Sequence, residues 1–345
     1  MKIVNSIPKK LLLLLTFQCC VAPAQTSQPT DYHLIKKTVI GDDGFWDYVT
    51  VDTGSRQLYL SHGNQAVVLN ADTHERLATI AGQGIHGVTL VPDIRKGFIT
   101  NGSTGTVTVF DTRTFEKTGE IAVGKNPDAA LYDPYSKRLF VFNADGDDAT
   151  VIDPDAGKSV GTIALGGAPE AAVTDGNGTI FVNLEDKSEV AAFDARTLNI
   201  LRRMPLAPGE EPTGLAMDVK NGILFSVCHN QLMLALDAKT GKVLAKLPIG
   251  RHVDGVVFDA GRQLAVSSNG EGTLTIVREV SPAEFKVEQT VATEPGARTI
   301  ALDAKTHHIF TATARFGEQP APTADNPNPR RKTVPGTFAV LEYGE

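Results

Sequence analysis

Six ionisable residues recur at one place in a repeating pattern along this chain: Asp47, His86, Asp128, Glu170, Asp254 and Arg298, with Thr213 as the uncharged member. Such a set can do two kinds of chemistry. Carboxylate oxygens suit Ca²⁺ or Mg²⁺ and imidazoles suit Zn²⁺ or Cu²⁺. With His62, His229 and His252 added, the metal candidates are His62, His86, His229, His252 and Asp254, and the cofactor they imply is a divalent metal. Alternatively, a carboxylate, a histidine and an arginine together move protons on a lactone or a glycosidic carboxylate. Glu170 and His86 are then the catalytic candidates, and Arg298 binds the anion. Trp46 adjoins the set and offers an aromatic face to a ligand. No tight ligand motif such as HExxH or CxxC holds any of these residues, so only the fold can bring them together. The same polarity would also line any wet channel, with no further role.

The elements that must position them are legible as a repeat. A unit with an apolar strand, an Asp-containing turn and three further strands occurs seven times. Its turn positions are Asp52, Val91, Asp133, Asp175, Asp218, Asp259 and Asp303, spaced 39 to 44 residues apart. The ionisable set lies five residues before these anchors. A period of this length with four strands per unit is the signature of an all-β, seven-bladed propeller. Third strands alternate apolar and small residues and end in Asp, as in Val107–Asp111, Ala149–Asp153, Val190–Asp194 and Met233–Asp237. These aspartates, like the anchors, read as turn formers, because a carboxylate can accept from its own backbone two or three residues on.

The seventh unit has only three strands after its start. The missing one is supplied by residues 33–40 (HLIKKTVI), so the two ends of the chain close the ring in one blade. Inner-strand starts and the loops leaving second strands fall at one end of the axis. That end gathers the ionisable set with His62, Asn101, Asn143, Glu185, His229, Asn269 and Arg315. His74, His307 and His308 fall at the other. A Pro-, Asn- and Arg-rich stretch over 316–336 reads as a long loop in blade seven, and Arg330, Arg331 and Lys332 could meet an anion at the channel mouth.

Residues 1–24 read as a secretory signal peptide: Lys2, Lys9 and Lys10, then an apolar run from Leu11, then Ala22-Pro23-Ala24. Residues 25–345 form the single propeller domain, exported to the periplasm or outside the cell. Thr16, Phe17 and Gln18 before Cys19 and Cys20 are not the small residues of a lipobox, which disfavours a lipoprotein. Cleavage removes three lysines and no acid and lowers the formal charge from −7 to −10. So acidic a surface disfavours nucleic acid. The apolar run is too short to span a membrane. Cys228 is the only cysteine left, so no internal disulfide closes the ring, and the chain reads as a monomer.

The segments RLFVFNADGDDATVIDPDAGKSVGTIALGGAPEAAVTD (138–175) and GILFSVCHNQLMLALDAKTGKVLAKLPIG (222–250) resemble the YVTN repeat of secreted bacterial propellers. LYLSH, GFITN and LFVFN are versions of its name-giving tetrapeptide. The resemblance spans essentially all of the exported chain. It implies the fold. For activity it implies a range, from binding and scaffold proteins to lactonases, lyases, quinoprotein subunits and DNA-binding proteins. The expectation is a binding or scaffold protein presenting its acidic, His-containing channel mouth to a small ligand, metal or protein. The alternative is a lactonase- or lyase-like enzyme using the same mouth.

Overall fold

A computed structural model describes residues 1–3, 31–323, 329 and 331–345. The expected signal peptide from residue 4 onward, and residues 324–328 and 330 of the long loop, lie outside the described residues.

Seven antiparallel four-stranded sheets follow one another along the chain. The inner strands are Trp46–Asp52, Ile85–Val91, Pro127–Asp133, Pro169–Thr174, Pro212–Asp218, Val253–Asp259 and Arg298–Asp303. Each is the first strand of its unit, and the outermost is the last. Blade seven is the exception, as expected from the sequence. Its outer strand is His33–Val39, which pairs with Ala339–Gly344 in register His33 to Gly344 through Val39 to Ala339.

The apolar core explains why the blades close on themselves. It divides, among the described residues, into seven clusters, and each lies between two neighbouring blades. Blades seven and one share Val49, Leu58, Leu60, Phe310, Phe338 and Val340, so the first and last sheets pack like any other pair. A propeller left open would expose one such face to water.

Polar bonds reinforce that junction. Arg56 Nη1 lies 2.5 Å from Asp303 Oδ2, and Thr53 Oγ1 donates to Asp303 Oδ1 at 2.8 Å. The turn aspartates do what their positions demand. Asp111 Oδ1 accepts from the amides of Arg113 and Thr114, and Asp52 Oδ1 from those of Gly54 and Ser55.

One irregularity positions the site. In every inner strand the pairing register slips just inside the start of the strand. The slips hold Asp47, His86, Asp128, Glu170, Thr213 and Asp254, while Arg298 stands at the edge of the seventh. A bulge bends its strand and re-aims the unpaired side chain. Here six successive blades use it at the same end of the axis.

Candidate functional site at the channel mouth

The residues four places before each anchor control how closely the inner strands approach. Gly87, Ala129, Ala171, Gly214 and Gly255 are small. A Cβ on Gly214 would meet Val256 N at 2.7 Å, and one on Gly255 would meet Ile300 Cγ2 at 2.9 Å. The first blade instead carries Tyr48 there. Its ring packs against the cluster between blades three and four. Its hydroxyl stands 3.5 Å from Glu170 Oε2. Burial foremost, then the charges of Asp128 and Glu170, pushes the phenol pKa well above its usual range, so Tyr48 is a neutral plug. Beneath it a small cavity of about 200 Å³ runs along the axis between glycines and alanines.

Above this floor the ionisable set meets. His86 Nδ1 donates to Asp47 Oδ2 at 2.7 Å and lies 3.2 Å from Asp128 Oδ1. Burial works against protonating His86, but the Asp47 hydrogen bond and the two carboxylate charges outweigh it and raise its pKa. Asp128 and Glu170 are both raised, chiefly by burial and then by neighbouring acids. The two carboxyls are coupled, so the pair holds one proton between them. Asp254 is raised as well, burial again outweighing the pull of Arg298. Asp128 Oδ1 and Asp254 Oδ2 are buried and make no hydrogen bond. Each has a nitrogen nearby, His86 Nδ1 at 3.2 Å and Arg298 Nη1 at 3.7 Å, but neither makes a hydrogen bond to it.

Arg298 is held by the ring closure. Its Nη2 donates to Trp46 O at 2.9 Å, and Trp46 Nε1 donates to Arg298 O at 2.9 Å. Its side chain remains 39% exposed, which leaves donors free for an anion. It stands between two cavities. One, of about 900 Å³, is bordered by Asp47, His86, Asn126, Asp145 and Phe45; the other, of about 580 Å³, by His229, His252, Asp254, Phe316 and Arg331. Phe45, 45% exposed, borders both.

The structure thus brings together Asp47, His86, Asp128, Glu170, Asp254 and Arg298. His229 and His252 border the second cavity, and His229 Nδ1 faces Glu211 Oε2 at 3.2 Å. One expected site residue, His62, is placed elsewhere, and another, Trp46, stands nearly buried at the edge of the site. His62 is 1% exposed and stacks on Phe338 with ring centroids 4.0 Å apart. Trp46 is 3% exposed and packs on Phe316 and Phe338, and it also borders both cavities beside Arg298.

The reason for the His62 difference is register. His62 ends a second strand, as do Asn101, Asn143 and Asn269. Those asparagines turn into their own blade, where Asn101 Nδ2 donates to Thr108 Oγ1, Asn143 Nδ2 to Thr150 Oγ1 and Asn269 Nδ2 to Thr275 Oγ1. Glu185 and His229 lie one residue past such strands and stay at the surface. At the opposite end of the axis, His307 Nδ1 donates to Asp259 Oδ2 and His308 Nδ1 to Glu342 Oε1, both at 2.7 Å. Tyr48 is the residue that sequence reasoning passed over. The signal was present, since it is the one aromatic among seven positions that otherwise hold Gly, Ala or Thr.

Among the described residues no helix is long and apolar enough to cross a membrane. No family model matches the chain, and no curated protein does. Its fold does have solved counterparts. A chain in the crystal structure of a mitotic checkpoint complex superposes with a TM-score of 0.73 at 13% identity, over 97% of this chain and 98% of that one. In all, 1748 chains of solved structures match, so the architecture is shared too widely to name an activity.

Proposed function

We propose that this is an exported propeller of the YVTN type that works as a binding protein, taking a small ligand or a group of a partner protein into the charged mouth of its channel. One observation carries this reading. Asp47, His86, Asp128, Glu170, Asp254 and Arg298, from six different blades, gather at one end of the axis with two buried carboxylate oxygens left without a hydrogen bond. Stripping water from carboxylates is costly unless something replaces it. A bound ligand that offers cationic or hydrogen-donating groups would replace it, and Arg298 would take an anionic end.

The test is native mass spectrometry of protein purified without chelator from its own host. An adduct of fixed mass, present in the wild type and absent from Arg298→Ala and Asp254→Asn, is the expected result. A bare polypeptide mass under all gentle conditions, with no thermal shift across a metabolite panel, would overturn it.

The lactonase- or lyase-like alternative has its own support: Glu170 and Asp128, both held above the usual carboxylate range, form a coupled acid–base pair at the same end of the channel as Arg298. It requires lactone turnover that falls at least tenfold in Glu170→Gln and Arg298→Ala.

A further inference from the structure

The Asp47, His86 and Asp128 side chains come from three successive inner strands, each from its bulge. Their ligand atoms all lie within 4.8 Å of one another. His86 Nδ1 has one hydrogen to give and faces two carboxylates. It gives it to Asp47 Oδ2, 2.7 Å away, and Asp128 Oδ1 stays buried at 3.2 Å without a hydrogen bond. One proton therefore sits where three donor atoms converge. Ligand atoms of a single ion stand about 3.0 Å apart in an octahedron, or about 3.4 Å in a tetrahedron, at bond lengths of about 2.1 Å. The two distances at Nδ1 bracket the octahedral value.

The far side of the ring is shaped as well. A Cβ on Gly102 would meet His86 Nε2 at 2.6 Å and Asn126 Oδ1 at 2.7 Å, so only glycine there leaves space for the imidazole. Asp47 and His86 border the 900 Å³ cavity, where water or a ligand could complete the coordination.

We infer that Asp47, His86 and Asp128 form a divalent transition-metal site, with a Zn²⁺- or Mn²⁺-type ion bound by two carboxylates and one imidazole and open to the cavity that Arg298 borders. This rests on reading the mouth as the binding site and names its resident ion. An imidazole among the donors favours Zn²⁺, Ni²⁺, Co²⁺ or Mn²⁺ over Ca²⁺. The open positions would take an anionic ligand, whose other end Arg298 would hold.

The experiment uses the exported chain, dialysed against EDTA and then against metal-free buffer. Calorimetric titration with ZnCl₂, MnCl₂ and CaCl₂ should give one Zn²⁺ per chain, Mn²⁺ at least tenfold weaker, and no Ca²⁺. Co²⁺ should produce visible absorption bands. His86→Ala and Asp128→Asn should each weaken Zn²⁺ at least 100-fold while keeping a folded melting profile. Gly102→Ala, which touches no ligand atom but crowds the ring, should weaken it about tenfold. His33→Ala, on the exposed outer strand of blade seven and away from the mouth, should bind as the wild type does.

Absence of saturable one-to-one Zn²⁺ binding, or binding equal in His86→Ala and the wild type, would overturn the metal site. In that case an organic adduct that survives EDTA and disappears in Arg298→Ala would leave the binding reading standing. A metal site with no adduct would instead limit the mouth to the ion.

Discussion

The Tyr48 hydroxyl of blade one stands 3.5 Å from the Glu170 carboxyl of blade four, 122 residues away in sequence. A phenol from one wall thus spans the axis and floors the ionisable set. Its ring, packed against the core between blades three and four, narrows the axis beside that set.

Removing that floor should cost stability and open the axis. Tyr48→Ala should lose about 2–3 kcal/mol, below the range for a fully buried ring because Tyr48 is only partly buried, and Tyr48→Phe less than about 1. Denaturant melts measure both. A Tyr48→Ala variant as stable as the wild type would mean that the ring carries no packing.

Glu170 should behave as a neutral acid. Its folded pKa is raised, burial leading and Asp128 adding, so the folded state keeps a proton that the unfolded chain releases above its ordinary value of 4.5. The contribution is fully present in acid and is lost progressively as pH climbs from there. Glu170→Gln mimics the protonated form. It should melt within about 1 kcal/mol of the wild type at pH 5 and surpass it at pH 8. A variant that loses stability equally at both pH values would show an ionised Glu170.

His62 should be a liability in acid. Burial pushes its pKa down, against weaker upward pulls from Asp42 and the nearby Gly44 backbone, and neither ring nitrogen makes a hydrogen bond of good geometry. The unfolded chain takes up a proton below about pH 6.5 and the folded chain resists, so stability falls as pH drops through that value. His62→Leu should be neutral to about 1 kcal/mol more stable at pH 7 and should lose less between pH 7 and 5. It should leave ligand and metal binding at the mouth untouched. Identical pH profiles in variant and wild type would contradict this account.

The Arg56–Asp303 pair should act as a latch on the ring. Asp303 is buried, which by itself would raise its pKa. The bonds from Arg56, Thr306 and Thr53 win and lower it to about 2. Its contribution is complete above its ordinary value of 3.8 and disappears as pH falls toward 2. Arg56→Ala should cost about 2–3 kcal/mol, less than a fully buried pair because the threonines still bond the carboxylate. Hydrogen exchange should then quicken in blades one and seven before the rest. Uniform acceleration around the ring would argue against a latch.

Much of the molecule was legible in one dimension. Repeat spacing predicted seven units, the turn aspartates marked where strands end, and the three-stranded last unit predicted that residues 33–40 would complete it. These follow from local rules: strand alternation, turn chemistry, and the need to leave no sheet edge unpaired. Counting five residues back from each anchor also found the set at the mouth, because identical blades put equal positions at equal heights.

Direction and neighbours are what only the tertiary structure decided. His62 and His229 are both histidines near the ends of second strands, yet a shift of one residue sends the first into the core and leaves the second at the surface. Side chains on a strand alternate faces, so one step of register reverses their environment. In the same way, nothing in sequence order shows that Asp47, His86 and Asp128 share one nitrogen's reach, or that Tyr48 crosses to Glu170. Those meetings depend on how a bulge turns each side chain and how closely glycine and alanine let adjacent inner strands approach. Both are properties of the closed ring, and no single blade has them.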